Sequence, residues 1–460
     1  MKHVPLFCIF LVLGATAGAQ SNRVPLIYQP LTPAAVQPGQ PAFVLTVRGT
    51  GFVEGALVKW NGKSLKTQLI SGRVLKAIVP AKAVALTTTA SVSVVNPGVI
   101  ASNVIYLPVR QPSAGVAVKA DPNTLEAGQV AIGDFNNDGK PDISVQGTNA
   151  FVNTYLSRGN GHFVSVSGPE WGGSGILPVS LNLSADFNGD GNLDMSFCSS
   201  TGGPSSGCGI FLGDGAVGLT PIASFVQGTG SVADMNGDGI LDYVTVMESG
   251  DGIGSSLFVN VGNGDGTFQR TFSVGLNGNK LGGVPVIGDF NGDGKLDVAV
   301  PIFATYVAVF LGNGDGTLQN EIDYTVANPG SLAVADVNGD GILDIVTSGV
   351  SVLLGKGNGT FTSGISILLP NGDFGNLQLG DVNGDGKLDL ATVTIDSNSN
   401  QTVNILLGQG GGAFQSPITF AAGQSPLFPP VFGMADFNND GKLDFAVSGQ
   451  STATVFLQTE

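Results

Sequence analysis

The chain reads as all-β, a seven-bladed β-propeller preceded by a small β-sandwich, and three observations predict this. A nine-residue Asp/Asn/Gly pattern occurs seven times from Asp134 to Asp444, with starts 45 to 55 residues apart, a period that belongs to stacked supersecondary units rather than to one wound domain. Each interval holds apolar runs of about four to six residues broken by Gly, Asn and Asp, which suits short antiparallel strands. Residues 24–110 lack the pattern and carry alternating apolar runs of their own.

The seven copies, loops 1 to 7, are DFNNDGKPD from Asp134, DFNGDGNLD from Asp186, DMNGDGILD from Asp234, DFNGDGKLD from Asp289, DVNGDGILD from Asp336, DVNGDGKLD from Asp381 and DFNNDGKLD from Asp436. Each has Asp at positions 1, 5 and 9, Asn at 3 and Gly at 6. Alternate residues of a tight loop can point oxygens at one centre, and a hard cation wants six to eight of them. Position 7 is Lys, Asn or Ile, so it offers its backbone carbonyl and keeps its side chain outside. The expected ligands are Asp134, Asn136, Asp138, Lys140 and Asp142; Asp186, Asn188, Asp190, Asn192 and Asp194; and Asp234, Asn236, Asp238, Ile240 and Asp242. They continue with Asp289, Asn291, Asp293, Lys295 and Asp297; Asp336, Asn338, Asp340, Ile342 and Asp344; Asp381, Asn383, Asp385, Lys387 and Asp389; and Asp436, Asn438, Asp440, Lys442 and Asp444. The ion that fits is Ca²⁺, up to seven of them in a structural role. Mg²⁺ dehydrates reluctantly, and Zn²⁺ would call for His or Cys, which the loops lack.

The alternative is a set of Asx turns that bind nothing. Charge argues against it, because three carboxylates crowded into one loop repel one another unless a cation sits between them. The loops hold 21 of the 35 acidic residues, so the formal charge of −16 is concentrated there. Seven Ca²⁺ would bring it to −2.

The Asp-rich loop between apolar strands, followed by LGNGDGTL at Leu311–Leu318 or VGNGDGTF at Val261–Phe268, resembles the FG-GAP or VCBS repeat of integrin-α-type β-propellers. The resemblance covers residues 113–460. It implies that the loops bind Ca²⁺ through positions 1, 3, 5, 7 and 9.

At the start of the chain, Met1–Ala19 has the form of a secretory signal peptide: Lys2 and His3, an apolar run Val4–Leu13, then Ala17-Gly18-Ala19 as a cleavage site. The expected location is secreted, extracellular. That run is too short to span a bilayer and no other stretch is long enough, so no transmembrane segment is expected. In residues 24–110 the runs Phe43–Val47, Leu57–Trp60, Leu75–Val79, Ala90–Val95 and Val104–Val109 read as sandwich strands. VRGTGF (Val47–Phe52), VKWNG (Val58–Gly62), AIVPA (Ala77–Ala81) and VVNPG (Val94–Gly98) resemble the IPT/TIG immunoglobulin-like domain, a spacer or binding module with Trp60 in its core. Gln111-Pro112-Ser113 reads as a linker.

Each repeat reads as four strands. In the fifth these are Leu332–Ala335, Ile345–Ser348, Val350–Leu354 and Phe361–Leu368. The last repeat ends after its third strand, Thr454–Leu457, and Gly115–Ala120 is expected to supply the fourth and clasp the ring. Cys198 and Cys208 flank a Gly/Pro/Ser turn and can meet across that hairpin as a disulfide, with two buried thiols as the alternative.

Turns of an antiparallel meander alternate ends, which puts the Asp loops and the third turns on one face. The opposite face collects the turns that vary, Ser199–Gly207, Glu248–Ser255 and Ile395–Gln401, with the inter-blade segments Pro169–Pro178, including Trp171, and Gly423–Phe432. Irregular loops on a rigid scaffold are where recognition concentrates, so a ligand site is expected there. His162 reads as a solvated turn residue. No catalytic constellation or phosphate loop is present, and the acidic charge has the wrong sign for nucleic acid. Two functions remain. One is a secreted, monomeric binding or adhesion module for an extracellular protein or polysaccharide; the other is a secreted enzyme acting on polysaccharides at the variable face.

Overall fold

The computed structural model describes residues 23–126, 128–147, 151–170, 183–199, 207–248, 255–276, 283–302, 305–326, 329–367, 369, 373–424, 432–449 and 452–459. The signal-peptide reading of Met1–Ala19 lies outside them.

Two four-stranded sheets form the N-terminal unit. One joins Leu26–Ile27, Phe43–Thr50, Val74–Val79 and Lys66–Ser71; the other joins Lys63–Ser64, Leu57–Trp60, Thr88–Val95 and Ile105–Val109. Leu45, Val47, Leu75 and Ala77 from the first meet Val58, Val92, Val94 and Leu107 from the second in one core, as the alternation of apolar residues requires. Trp60 lies in this core, edge-on to Phe43. Leu26–Ile27, Lys63–Ser64 and Lys66–Ser71 were not expected as strands. Two of them carry lysines on an edge, where charge discourages further pairing and hides the apolar signal.

Seven more four-stranded sheets follow, all antiparallel, in a propeller-like arrangement with no α-helix among the described residues. In six of them the strands of one repeat pair in chain order. The sixth sheet takes Ile418–Gln424 as its outer strand and carries a small extra hairpin, Gly408–Gly410 with Ala413–Phe414. The fifth repeat forms its strands at Leu332–Ala335, Asp344–Thr347, Ser351–Gly355 and Phe361–Ser366, within two residues of expectation at each boundary. Second strands are buried along their whole length, as at Asp142–Gly147, Asp297–Ile302 and Asp389–Ile395. An outer strand such as Phe361–Ser366 is exposed beyond its first residue, which explains why inner strands read as continuous apolar runs and outer ones do not.

The seventh sheet draws its fourth strand from the beginning of the repeat region. That strand is Val118–Thr124, pairing Phe456 with Ala120 and Gln458 with Val118. The expected segment Gly115–Ala120 was therefore three to four residues too early. Ser113 and Gly115 are occupied otherwise: Ser113 donates its N–H to the Asn383 carbonyl and its hydroxyl to the Gly115 carbonyl. Gln111–Ser113 is thus tied to the sixth repeat. The first strand of sheet 1 lies against the first strand of sheet 7, and Leu125, Val130, Ile143, Phe437 and Val455 make a shared core there.

Neighbouring sheets are also stitched on the Asp-loop side. The third turn of each of three repeats donates a backbone N–H to position 2 of the preceding loop: Gly161 to Phe437, Gly359 to Phe290 and Gly412 to Val337, at 3.1–3.2 Å. Cys198 and Cys208 face each other in register and are joined as a disulfide. Deleting Val118–Thr124 should leave Thr454–Gln458 as an unpaired edge and lower the melting temperature by on the order of 10 °C. A calorimetric melt of the shortened chain checks this, and an unchanged transition would refute closure by this strand.

Candidate functional site

Every loop folds around its own N–H groups in the same way. In loop 3, Asp234 Oδ1 accepts from Gly237 N (2.6 Å) and Asp238 N (3.1 Å), and Oδ2 accepts from Gly239 N (3.0 Å). Asn236 Oδ1 accepts from Asp238 N, and Asp238 Oδ1 from Ile240 N, both at 2.9 Å. Position 6 has φ between +82° and +91° in all seven loops, which only Gly adopts without strain. Position 4 is left-handed as well, and where it is not Gly it is Asn137 or Asn439, with φ of 57° and 59°; Asn tolerates this region best among residues with a side chain.

The position-9 carboxylate has a different job. Asp242 Oδ2 accepts from Met235 N at position 2 of the loop (2.8 Å), and its Oδ1 reaches Gly262 N on the third strand (3.0 Å). Asp142, Asp194, Asp297, Asp344, Asp389 and Asp444 make the same pair of bonds, to position 2 of their own loops and to a backbone N–H on the third strand or, at Gly312 and Gly408, just past it. All seven are fully buried. Burial pushes their carboxyls up, to about 7 in Asp142, Asp242, Asp297 and Asp389, to about 6 in Asp194 and Asp344 and to about 8 in Asp444, and the other carboxylates of the same loop push in the same direction. Two N–H bonds per carboxylate do not offset the loss of water and the nearby like charge.

The residues present fit a hard divalent cation by their chemistry. The donors are three carboxylates, an Asn amide oxygen and the position-7 carbonyl, all oxygen; some carboxylate oxygens, such as Asp234 Oδ1, already accept two N–H bonds and would exchange one for a cation. The position-7 side chains run over the third turns, Lys140 over Gly159, Lys295 over Gly314 and Ile342 over Gly357, and Lys140 Nζ turns back to Asp138 Oδ2 (2.8 Å). Among the described residues no three Asp, Glu, His or Cys side chains already converge as a cage; the carboxylates are turned onto N–H groups instead. The Gly-Asp-Gly third turns are hairpin chemistry, with Asp265 and Asp315 each holding the backbone N–H and hydroxyl of the Thr two residues on.

Sequence reasoning missed where the N-terminal unit sits. It rests on the Asp-loop face. Val24 N donates to Asp234 Oδ2 (2.9 Å), Asp289 N donates to Tyr28 Oη (3.0 Å), and Asp336 N donates to the Gln29 carbonyl (2.9 Å). Arg23 donates to the Gly294 carbonyl, Arg73 pairs with Asp289 (3.5 Å), and Arg110 donates to the Val382 carbonyl (3.1 Å). Arg48 lies over Gly341, and Thr88 Oγ1 donates to Asn439 Oδ1 (2.7 Å). Loops 3 to 7 are thus covered. Between the two units lies a cleft of about 2020 Å³, with Asn61, Ser91, Ser93 and Tyr106 on one wall and, on the other, residues of loops 1 and 2 such as Asn137 and Asn188 together with residues of loops 3, 6 and 7. The signal was in the charges: residues 23–110 contain nine Lys and Arg against a single acid, Glu54.

The variable turns expected to carry a ligand site are mostly outside the described residues, including 200–206, 249–254, 425–431 and Trp171. Of those described, Asp396 caps its own turn through Asn398 N and Asn400 N, and Phe432 is buried in the core between sheets 6 and 7. His162 is exposed in the first repeat's third turn, its N–H on Asn160 Oδ1.

The pattern of the FG-GAP-like repeat matches residues 126–196, 234–300, 303–347, 347–392 and 381–447, together more than half of the chain. No curated protein matches it. Among solved structures it is similar to BBS1N in complex with ARL6DN, at 13% identity over 75% of this chain and 98% of that one, TM-score 0.47. An auxiliary nutrient binding protein from Bacteroides ovatus aligns at 13% identity over 95% and 98%, TM-score 0.39. The BP39L lectin from Burkholderia pseudomallei aligns at 14% identity over 72% and 92%, TM-score 0.42.

The raised carboxyls give a prediction for the metal-free protein. Their folded pKa values of about 6 to 8 stand above the ordinary carboxylate value of about 3.9. Between those limits the folded chain holds protons that the unfolded chain has released, so stability falls as pH rises. In chelator, the melting temperature should drop from pH 5 to pH 8, and a profile that rises over that range would contradict the assignment.

Proposed function

The chain belongs to the FG-GAP-like repeat family, and from that premise we propose that it is a secreted, Ca²⁺-stabilised seven-bladed β-propeller with an immunoglobulin-like N-terminal domain, working as a binding module for an extracellular polysaccharide. The observation that carries the binding role is the cleft between the N-terminal unit and the Asp-loop face, open at loops 1 and 2. It is larger than the few hundred to 1,000 Å³ of an ordinary small-molecule pocket. Its walls offer amides and hydroxyls from Asn61, Ser91, Ser93, Asn137 and Asn188 beside the loop carboxylates Asp134, Asp186, Asp190 and Asp234, groups that match sugar hydroxyls as donors and acceptors. Folded proteins and nucleic acids fit it less well, the first by size and the second by charge. No helix among the described residues is long and apolar enough to cross a membrane.

Calcium's contribution is electrostatic. Bound Ca²⁺ neutralises the loop carboxylates, and the chain's own residues do the rest: positions 1, 3, 5 and 9 supply oxygen, and position 9 keeps the loop fixed to the third strand. A ligand at ten times its dissociation constant adds about 1.4 kcal/mol per site. Seven independent sites would add on the order of 10 kcal/mol, comparable with the whole stability of a domain.

Two measurements test the proposal. Calcium should raise the melting temperature and chelator lower it, while Asp297→Asn, which keeps the size of the side chain but not its charge, should lose about one-seventh of the calcium-dependent gain. A melt indifferent to calcium would remove the metal from the account. On an array of polysaccharides and matrix proteins, Ser93→Trp, which fills the cleft, should weaken polysaccharide binding at least about tenfold with the calcium response intact. Binding confined to proteins, or polysaccharide binding unaffected by Ser93→Trp, would overturn the cleft as the ligand site.

A further inference from the structure

The seven loops have nearly one sequence but not one environment. Among the described residues a single ion pair reaches a position-1 carboxylate, Arg73 Nε to Asp289 Oδ2 at 3.5 Å. The other ion pairs of the loops join Lys140, Lys387 and Lys442 to the position-5 carboxylates Asp138, Asp385 and Asp440, and those lysines come from the loops themselves. Arg73 comes from the N-terminal unit. It also donates from Nη1 to the Gly292 carbonyl (3.3 Å), and Arg23 donates to the Gly294 carbonyl of the same loop. The Asp289 side chain is fully buried, while that of Arg73 keeps 42% of its exposure. One partner is fixed and the other has solvent to retreat into.

Resting on the reading of the loops as calcium sites, we propose that Arg73 sets the cation affinity of loop 4 by competing for Asp289, so that docking of the N-terminal unit and calcium binding at that loop oppose each other. A guanidinium and a divalent ion cannot both sit against one carboxylate without mutual repulsion. For Ca²⁺ to take Asp289, the Arg73 side chain must swing out toward solvent, which removes one contact holding the two units together. Linkage makes the effect reciprocal: whatever docking costs calcium at loop 4, calcium at loop 4 costs docking. The wider charge distribution favours the same antagonism. Residues 23–110 carry eight more basic than acidic side chains, and they lie on a face whose negative charge calcium would cancel. Loops 1 and 2, which face the cleft, carry no such partner from the N-terminal unit among the described contacts.

Calorimetric titration of the full chain with CaCl₂, starting from chelated protein, tests this on wild type, Arg73→Ala, Arg73→Gln and the charge-matched control Lys82→Ala, whose site is exposed on the N-terminal unit. Wild type should bind at loop 4 more weakly than the Arg73 variants do. Arg73→Ala should tighten that site on the order of tenfold, a typical size for coupling between two sites, and Lys82→Ala should leave the titration unchanged. Arg73→Gln retains an N–H donor for the Gly292 carbonyl without the charge, so it should show the same tightening even if Arg73→Ala folds poorly. Titrations in which both Arg73 variants match wild type would overturn the competition while leaving the calcium reading in place. A wild-type chain that binds no calcium would overturn both, and the two failures are told apart by the wild-type curve alone.

Discussion

The constraint on which the repeat region depends is a carboxylate with no water. At position 9 of every loop an Asp is fully buried, and its two oxygens tie the loop's second residue to the third strand. That connects three of the four strands of a sheet through one side chain. An Asn could make only one of these bonds as an acceptor and would present its NH₂ to a second N–H. The charge is therefore the cost of a symmetric acceptor, and each such carboxyl, beside two further carboxylates, is held well above the ordinary carboxylate range. On the calcium reading proposed above, folding and cation binding are one problem in this chain, because the group that fixes the strands is the group whose charge a cation would offset.

Closure follows the same economy of contacts. Sheets pack side by side through apolar residues of their inner strands, and hydrogen bonds such as Asn376 to the Phe432 backbone (2.8 and 2.9 Å) and Ser231 to the Pro285 carbonyl (2.6 Å) fix one sheet on the next. The last sheet has only three strands of its own and is completed by Val118–Thr124. The repeat region is thus closed by residues that are among the first and last of its sequence, so no sheet can be lost from it without opening an edge.

Most of the fold and all seven loops were legible because their signals are local. Asp at 1, 5 and 9 with Gly at 6 dictates a turn through charge and backbone geometry, and neither needs tertiary context. The left-handed position 4 was legible too, since only Gly and Asn ever occupy it, yet the sequence reading passed over it. The closing strand was misplaced because GVAVKA at Gly115–Ala120 has the better apolar alternation, whereas Val118–Thr124 includes Asp121, Pro122 and Asn123 and is selected by its register against Phe456 and Gln458. The short lysine-bearing edge strands of the N-terminal unit were invisible for a related reason, since their partners, not their composition, make them strands.

The docking of the N-terminal unit shows where local reading ends. Turn parity correctly gathers the Asp loops on one face, and their constancy suggested a purely structural face. Constancy, however, is also what a second unit needs if it is to seat on several loops at once. Arg23, Arg48, Arg73 and Arg110 stand at loops 3 to 6, spaced along a sandwich whose edges are set by a core that contains none of them. Four of the six arginines in the chain are spent this way. Guanidinium groups suit the task, because a planar fork can reach loop carbonyls and a carboxylate without full dehydration. One acidic face therefore meets basic side chains over loops 3 to 6 and, on the calcium reading proposed above, shares its carboxylates between them and the cation. Loops of nearly one sequence thus lie in unequal electrostatic surroundings, and the inequality is imposed by a domain outside the repeat.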